Sequence, residues 1–285
     1  MILAVSLINN NSNKLEGNPH IANYHISGLL INSDRIIEDL DKIANDQNAK
    51  AIIITIDSPG GTTVSAEEIY LKLESISKSK PTVSVMKNIA TSGAYLLALG
   101  TDHMIARENT ITGSIGVIFQ WARVDEGLEK IGIKINEVKS GELKAEPDFF
   151  GDTSLNTKKM TQELIDETYQ WFISLVKDRR SLGPQELSKI SDGRIISGRQ
   201  AVKYKLIDEI GGQLEAKNWL VRNSDISEDT EILDIKELKK DNLIDFGLAK
   251  MINYFNINSR YSKSIEKNIS LIGLDGLLSV WHHPK

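Results

Sequence analysis

Residues Ala51-Ile52-Ile53-Ile54-Thr55-Ile56, followed at once by Asp57-Ser58-Pro59-Gly60-Gly61, decide the fold. The run is almost continuously β-branched and has no polar face to turn to water. A strand of this kind is buried on both sides, as strands of a parallel sheet covered by helices are. It ends sharply at a proline and two glycines, and glycine permits positive φ and close backbone approach. Upstream, Ile21 to Leu30 is strand-like. Ser33 to Asn45 has helical periodicity, with Ile36, Ile37, Leu40 and Ile43 on one face and Ser33 as candidate N-cap. Downstream, the pattern predicts a helix from Ser65 to Ser77, a strand from Thr82 to Met86 and a helix starting near Ser92. His103 to Ala106 and Ile115 to Phe119 read as further strands. This βαβα rhythm predicts an α/β fold with a mostly parallel sheet.

After Lys144 the texture changes. Thr157 to Arg180 reads as a long amphipathic helix, with Met160, Leu164, Trp171, Leu175 and Val176 roughly on one face. A second helix is expected near Gln185 to Ile190 and a short one between Asp192 and Gly212. The expected organisation is a leader over 1–19, a main domain over 20–225 and a C-terminal segment over 226–285. Within the last, Ile265 to Trp281 has irregular helical spacing interrupted by Gly273 and Gly276. That segment docks either on its own core or on a neighbouring subunit or membrane surface.

The chain of 285 residues has a net charge of -5, 40% apolar and 26% charged residues. The acidic balance argues against nucleic acid as a partner. The absence of cysteine excludes a thiol nucleophile, disulfides and thiolate metal sites. No segment approaches the roughly 20 apolar residues that span a bilayer. Met1 to Ile8 is apolar but short and lacks a basic flank. It is either a leader packed on the body or the stump of a membrane anchor, with Asn9 to Asn18 as a polar linker.

Two motifs carry chemistry. The Asp57-Ser58-Pro59-Gly60-Gly61 loop lies beyond the carboxyl end of a buried strand, where ligands of open α/β sheets bind. It is either a plain strand-to-helix turn or a loop aiming a backbone N–H at an oxyanion. In Ala90-Thr91-Ser92-Gly93-Ala94-Tyr95 a strand ends, a turn carries a serine, and a helix begins. Ser92 there is either an N-cap or a nucleophile whose anionic intermediate is favoured by free N–H groups and the helix dipole.

A nucleophilic serine needs a base. The histidines are His20, His25, His103, His282 and His283, and none follows the serine as a Ser-His-Asp arrangement suggests. A desolvated lysine remains. Lowering its pKa from about 10.4 by about 3 units costs roughly 4 kcal/mol, which burial can supply. Lys144 is one candidate, with Pro147, Phe149 and Phe150 close by. Spacing alone does not select it.

At these residues the chain resembles the signal peptide peptidase A (SppA) family of bacterial serine proteases, over roughly Ile21 to Gly212. The resemblance rests on Ser58-Pro59-Gly60-Gly61, Thr91-Ser92-Gly93-Ala94-Tyr95, Thr112-Gly113-Ser114-Ile115-Gly116-Val117 and Lys139-Ser140-Gly141 through Lys144. It is completed by Asp192-Gly193-Arg194, Gly198-Arg199-Gln200-Ala201 and Leu206 to Gly211, all in order. It implies a ClpP/crotonase-like spiral of βαβ units with a helical extension. It implies Ser92 as nucleophile, Lys144 as general base, and Ser114 orienting the lysine. Oxyanion donors are implied at Gly93 and at the Gly60-Gly61 turn. No metal or cofactor is implied. The implied substrates are cleaved signal peptides and similar apolar peptides. The implied setting is a homo-oligomer, of eight subunits with sites shared between neighbours, on the extracytoplasmic side of a bacterial cell membrane. Many relatives carry Gly where Lys205 stands, and the acidic, Phe-rich stretch Ala145 to Asn156 also departs from them.

Three other readings stand beside this one. A Clp-type protease needs a histidine about 25 residues beyond the serine, where this chain has Gly116-Val117-Ile118. A crotonase-like acyl-CoA enzyme needs neither Ser92 nor Lys144. The third is a non-catalytic oligomeric scaffold at the membrane.

Overall fold

The computed structural model describes residues 17–235 and the backbone of 278–280. The expected leader, its linker and most of the C-terminal segment lie outside the described residues. The centre is an eight-stranded sheet whose main path runs β7(Ile195–Ser197), β6(Ile111–Gly113), β4(Thr82–Thr91), β2(Ala49–Ser58), β1(His20–Ser27), β9(Glu231–Ile235). β5(His103–Ala106) pairs with β4 and with β8(Glu209–Ile210). The β1–β2, β2–β4, β4–β5 and β4–β6 ladders are parallel. The α/β expectation is therefore met.

β2 holds the centre because Ala51 through Ile54 and Ile56 lose all contact with water. Its alternate residues serve two faces. Ala51 and Ile53 join Ile21, Val83 and Ile105 in a core closed by Ala216 and Leu220 of α8(Gln213–Asn223). On the α1(Asp34–Asn45) and α2(Thr63–Ser77) side, Leu40, Ile43, Ile69 and Leu73 are buried. At about 1.5–3 kcal/mol for each fully buried aliphatic side chain, these layers dominate the stabilisation.

Several local expectations are corrected. Ser33 holds the N-cap position of α1 as expected, but its hydroxyl makes no cap bond and donates to Glu68 instead. Asn32 Oδ1 accepts from Asp34 N–H at 2.8 Å and does the capping. Ile115 to Phe119 is not a strand. Gly113 (φ 81) and Ser114 (φ 52) are consecutive left-handed residues that turn the chain off β6, which is Ile111–Gly113. The expected helix near Gln185 to Ile190 is the shorter α6(Pro184–Leu187). The long helix is α5(Leu155–Arg180), and the short one is α7(Gly198–Lys203). No helix among the described residues is long and apolar enough to cross a membrane.

β4 is bent where it leaves β5 for β6. The β2–β4 ladder steps from Ile56↔Met86 to Ser58↔Ala90, so β4 carries extra residues there. Asp57 repairs the gap, its carboxylate accepting from Ile89 N–H at 3.2 Å and Asn88 Nδ2 at 2.8 Å. The bend carries the last residues of β4 past the Gly60-Gly61 loop.

Candidate active site

Ser92 stands between β4 and the short helix α3(Gly93–Ala98), with φ 57 and ψ −121. A non-glycine residue in that region stores about 1–3 kcal/mol and persists only where its surroundings over-determine it. Here they do. Ser92 N–H donates to Gly113 carbonyl at 2.8 Å, and Ser92 carbonyl accepts from Leu96 N–H at 2.9 Å. All of α3 behind it is buried, and Tyr95 Oη donates to Leu206 carbonyl at 2.8 Å. A sharp strand-to-helix turn of this kind is how a nucleophilic serine is presented on α/β hydrolase folds.

The glycine loop is fixed to the same turn. Thr91 Oγ1 donates to Pro59 carbonyl at 3.0 Å. Gly60 (φ 103) donates its N–H to Ser58 Oγ at 3.1 Å. Gly61 has no room for a side chain, because a Cβ would stand 1.9 Å from Leu30 carbonyl oxygen. β3(Gly60–Thr62) is the result.

Ser114 follows Gly113, the acceptor for Ser92, and its own N–H donates to Arg194 carbonyl at 2.8 Å. Thus Ser92, Gly93, the Gly60-Gly61 turn and the Ser114 backbone are tied into one region by backbone and hydroxyl hydrogen bonds. Thr91 and Gly113 make those ties. Sequence reading included both in its motifs without giving either a part.

Lys144 is not joined to that region in the single chain. Its side chain is exposed and, among the described residues, makes no hydrogen bond or ion pair. The loop carrying it is nevertheless built. Lys139 Nζ meets Glu137 at 2.6 Å, Glu146 at 2.8 Å and Asp148 at 3.5 Å. The hydrogen bonds it donates to Glu137 and Glu146 push the Lys139 ammonium well above the ordinary lysine range. Lys139 is a fixed cation, unfit to be a base. Those three carboxylates could gather round a cation, but the lysine already supplies the positive charge. Sequence reading missed this clamp, although the acidic residues round Lys139 were its signal.

Among the described residues, His103 and His25 are committed elsewhere. His103 stacks on Trp219 with ring centroids 4.8 Å apart, and its Nε2 faces Glu209 at 3.3 Å. It pairs in register with Val83, near the start of β4, whereas Ser92 follows the end of that strand. His25 bonds Asp234 and Asn23. Those three residues help line a cavity of about 760 Å³ that includes none of Ser92, Ser114 and Lys144. Its volume says nothing about the chemistry at the serine turn.

Comparison with known proteins adds an independent finding. The family described as peptidase family S49 matches residues 74–227. A protein of Synechocystis sp. named as a protease is 34% identical over 219 residues, covering 76% of this chain and 79% of that one. A protein of Methanocaldococcus jannaschii, also named as a protease, is 31% identical over 215 residues, 75% of this chain and 68% of that one. A protein of Enterococcus faecium named as a signal peptide peptidase SppA is 33% identical over 224 residues, 77% of this chain and 65% of that one.

Proposed function

The chain belongs to peptidase family S49, and on that premise we propose that it is a serine endopeptidase with Ser92 as nucleophile and Lys144 as general base. The observation that carries the reading is the strained Ser92 turn, held against the glycine loop through Thr91 and Pro59. Neutral Lys144 takes the hydroxyl proton as Ser92 Oγ attacks a peptide carbonyl. The oxyanion is received by N–H groups of Gly93 and the Gly60-Gly61 turn. The lysinium returns its proton to the leaving amine, and an acyl-enzyme remains. Water, activated by the same lysine, then releases the acid. Ser114 orients the lysine.

The exposure of Lys144 supports a site completed between chains. A general-base lysine must be desolvated to be neutral near pH 7, and a single chain does not bury it. Ile131, Ile133, Ile135, Val138, Leu143 and Phe150 are also exposed along the segment that carries it. Apolar surface of this extent marks an interaction face. A ring of identical copies in head-to-tail contact, of eight in our reading, would bring one copy's Lys144 to the next copy's Ser92. Cleaved signal peptides and similar apolar segments at the extracytoplasmic face of a bacterial membrane are the substrates we assign.

The test is a mixing experiment. Ser92→Ala and Lys144→Ala are each expected to abolish peptide hydrolysis and labelling by a fluorophosphonate probe. Co-assembled at equal amounts, they should recover about one quarter of wild-type activity, because a head-to-tail contact pairs an intact serine with an intact lysine at that frequency. Full activity in either single variant sinks the dyad. Inactive variants whose mixture stays inactive refute the shared site.

A further inference from the structure

The sheet face that packs on α8 is only partly covered. Ile21, Ile53, Val83 and Ile105 meet Ala216 and Leu220 there, and the helix begins at Gln213. Beyond its start the same face continues as His25, Thr55 and Val85, which stand in register across β1, β2 and β4. These three residues line the cavity of about 760 Å³. Small-ligand sites enclose volumes of that order, and they orient the ligand with a few fixed polar groups.

One end of the cavity is anionic. Asn23, only 1% exposed, accepts from Thr55 Oγ1 at 2.7 Å and donates to Asp234 Oδ1 at 2.6 Å. The Asn23 bond holds the Asp234 carboxyl below the usual carboxylate range. Lys87 and Arg107 supply positive charge to the same cavity. Among the described residues, neither makes a hydrogen bond or ion pair through its side chain. The Arg107 guanidinium rests against Gly212, where a Cβ would stand 2.3 Å from Nη2. The missing side chain makes room for the cation. Glu215 is a carboxylate within electrostatic reach of Arg107, but it accepts from Gly212 N–H at 2.6 Å and is committed there.

A fixed carboxylate and two uncommitted cations in one cavity suit a ligand that carries both signs. Lys87 is on β4 and Asp234 on β9, three strand spacings apart in the order β4-β2-β1-β9. At about 4.8 Å each, that is about 14 Å between strands. An extended peptide of about four residues spans it at about 3.3 Å per residue. Asn109 and Gln213 offer amides to a peptide backbone, and Val85 and Ile111 offer apolar contact. No Phe, Tyr or Trp lines the cavity, so a nucleobase has no aromatic ring to stack on. Asp234 also opposes a polyanion. We propose that this cavity binds short peptides by their two ends, the C-terminal carboxylate at Arg107 and Lys87 and the N-terminal ammonium at Asp234. The planar guanidinium matches a carboxylate with two parallel hydrogen bonds. The site goes beyond the protease reading and uses neither Ser92 nor Lys144. A peptidase generates this class of molecule, since each cut yields a new carboxylate and a new amine.

The experiment is calorimetric titration of the full Ser92→Ala chain, which keeps the probes intact. The probes are tetra-alanine with free ends, its C-terminal amide and its N-acetyl form. The free peptide should bind tightest, and blocking either end should weaken binding about tenfold, the loss of one charge-assisted contact. Arg107→Gln and Lys87→Gln together should weaken the free peptide and erase the difference between acid and amide. Asp234→Asn should erase the difference between free and acetylated peptide. The comparison of free and blocked peptides needs no cavity variant, so it stands even if one fails to fold. Equal affinity for all three peptides, or no binding of any, overturns the proposal. End-group preferences that survive in the cavity variants place the peptide elsewhere, at the serine turn included, and overturn it as well. So does ATP binding more tightly than tetra-alanine and weakening in the Arg107→Gln, Lys87→Gln chain, which assigns the cavity to nucleotides.

Discussion

Thr91 Oγ1 donates a hydrogen bond to the Pro59 carbonyl at 3.0 Å, across two loops that are 32 residues apart in the chain. Both residues precede the groups assigned to the reaction, Ser92 in one loop and Gly60 in the other. The bond therefore sets the spacing between nucleophile and oxyanion turn. Thr91→Val keeps the shape of this fully buried side chain and removes only the donor. Leaving Pro59 carbonyl without its partner should cost about 1–3 kcal/mol of stability. Loosened spacing should lower kcat about tenfold, a barrier increase of about 1.4 kcal/mol, with KM little changed. Urea denaturation and steady-state kinetics on one preparation check both. Wild-type kcat would show that the bond does not position the site.

Gly61 tests the same region from the other side. A Cβ there would stand 1.9 Å from Leu30 carbonyl oxygen, a backbone atom with little freedom to move. Gly61→Ala must displace β3 or the Leu30 segment, at a cost of about 1–3 kcal/mol as an overpacked site. The expected outcome is a folded chain with lowered Tm and loss of both probe labelling and hydrolysis. Unchanged labelling would mean that the position of β3 does not matter to Ser92.

The frame of the fold was legible because β2 is apolar on both faces, and only a covered parallel strand reads that way. The βα order around it followed. Ile115 to Phe119 misled because apolar content was read without the two left-handed residues that precede it, Gly113 and Ser114, and only Ile115 of the five is fully buried. α8 was missed, since its buried face rests on Ala216 and Leu220 and gives a thin periodic signal. At the site, the residue types of the serine turn were visible. Its backbone strain was not, because φ 57 at Ser92 is imposed by Gly113, β4 and buried α3 together. The choice of Lys144 came from resemblance, and a single chain leaves that side chain in solvent. On the reading proposed above, a surface between chains buries it, and one sequence does not encode such a surface locally.

The Lys139 cluster gives a pH dependence. Asp148 is held below the usual carboxylate range first by the Phe150 N–H and then by Lys139. The folded state thus favours the charged form. Its contribution is fully present above the unfolded pKa near 3.9 and is lost as pH falls through the lower folded value. The loop of residues 137–150 should accordingly loosen below about pH 4, seen as faster hydrogen exchange than in α2 after correction for the intrinsic rate. Lys139→Met leaves three carboxylates facing one another and should loosen the same loop at pH 7. Lys144→Met should remove activity without changing exchange there. Equal protection in wild type and Lys139→Met would refute the clamp.

Lys205 holds a left-handed position of the kind glycine usually fills, and the structure gives the physical reason. Leu206 N–H donates to Ala201 carbonyl at 2.8 Å, and Lys205 N–H donates to Val202 carbonyl at 2.9 Å. That pair of bonds closes α7 in a Schellman motif, whose left-handed residue is usually glycine. Lys205 takes it with φ 60, at a cost of about 1–2 kcal/mol for a residue with a Cβ. Its ammonium meets Glu186 at 2.7 Å, but both side chains are partly in solvent and such a pair contributes about 0–1 kcal/mol. Lys205→Ala loses the pair and keeps the strain, so it should be slightly less stable than wild type. Lys205→Gly loses the pair and the strain together, against roughly 0.5–1 kcal/mol of added chain entropy. It should exceed the alanine variant by about 0.5–1 kcal/mol. Chemical denaturation of the two variants side by side measures that difference directly, because the ion pair is absent from both. An alanine variant as stable as the glycine variant would show that the left-handed turn carries no strain.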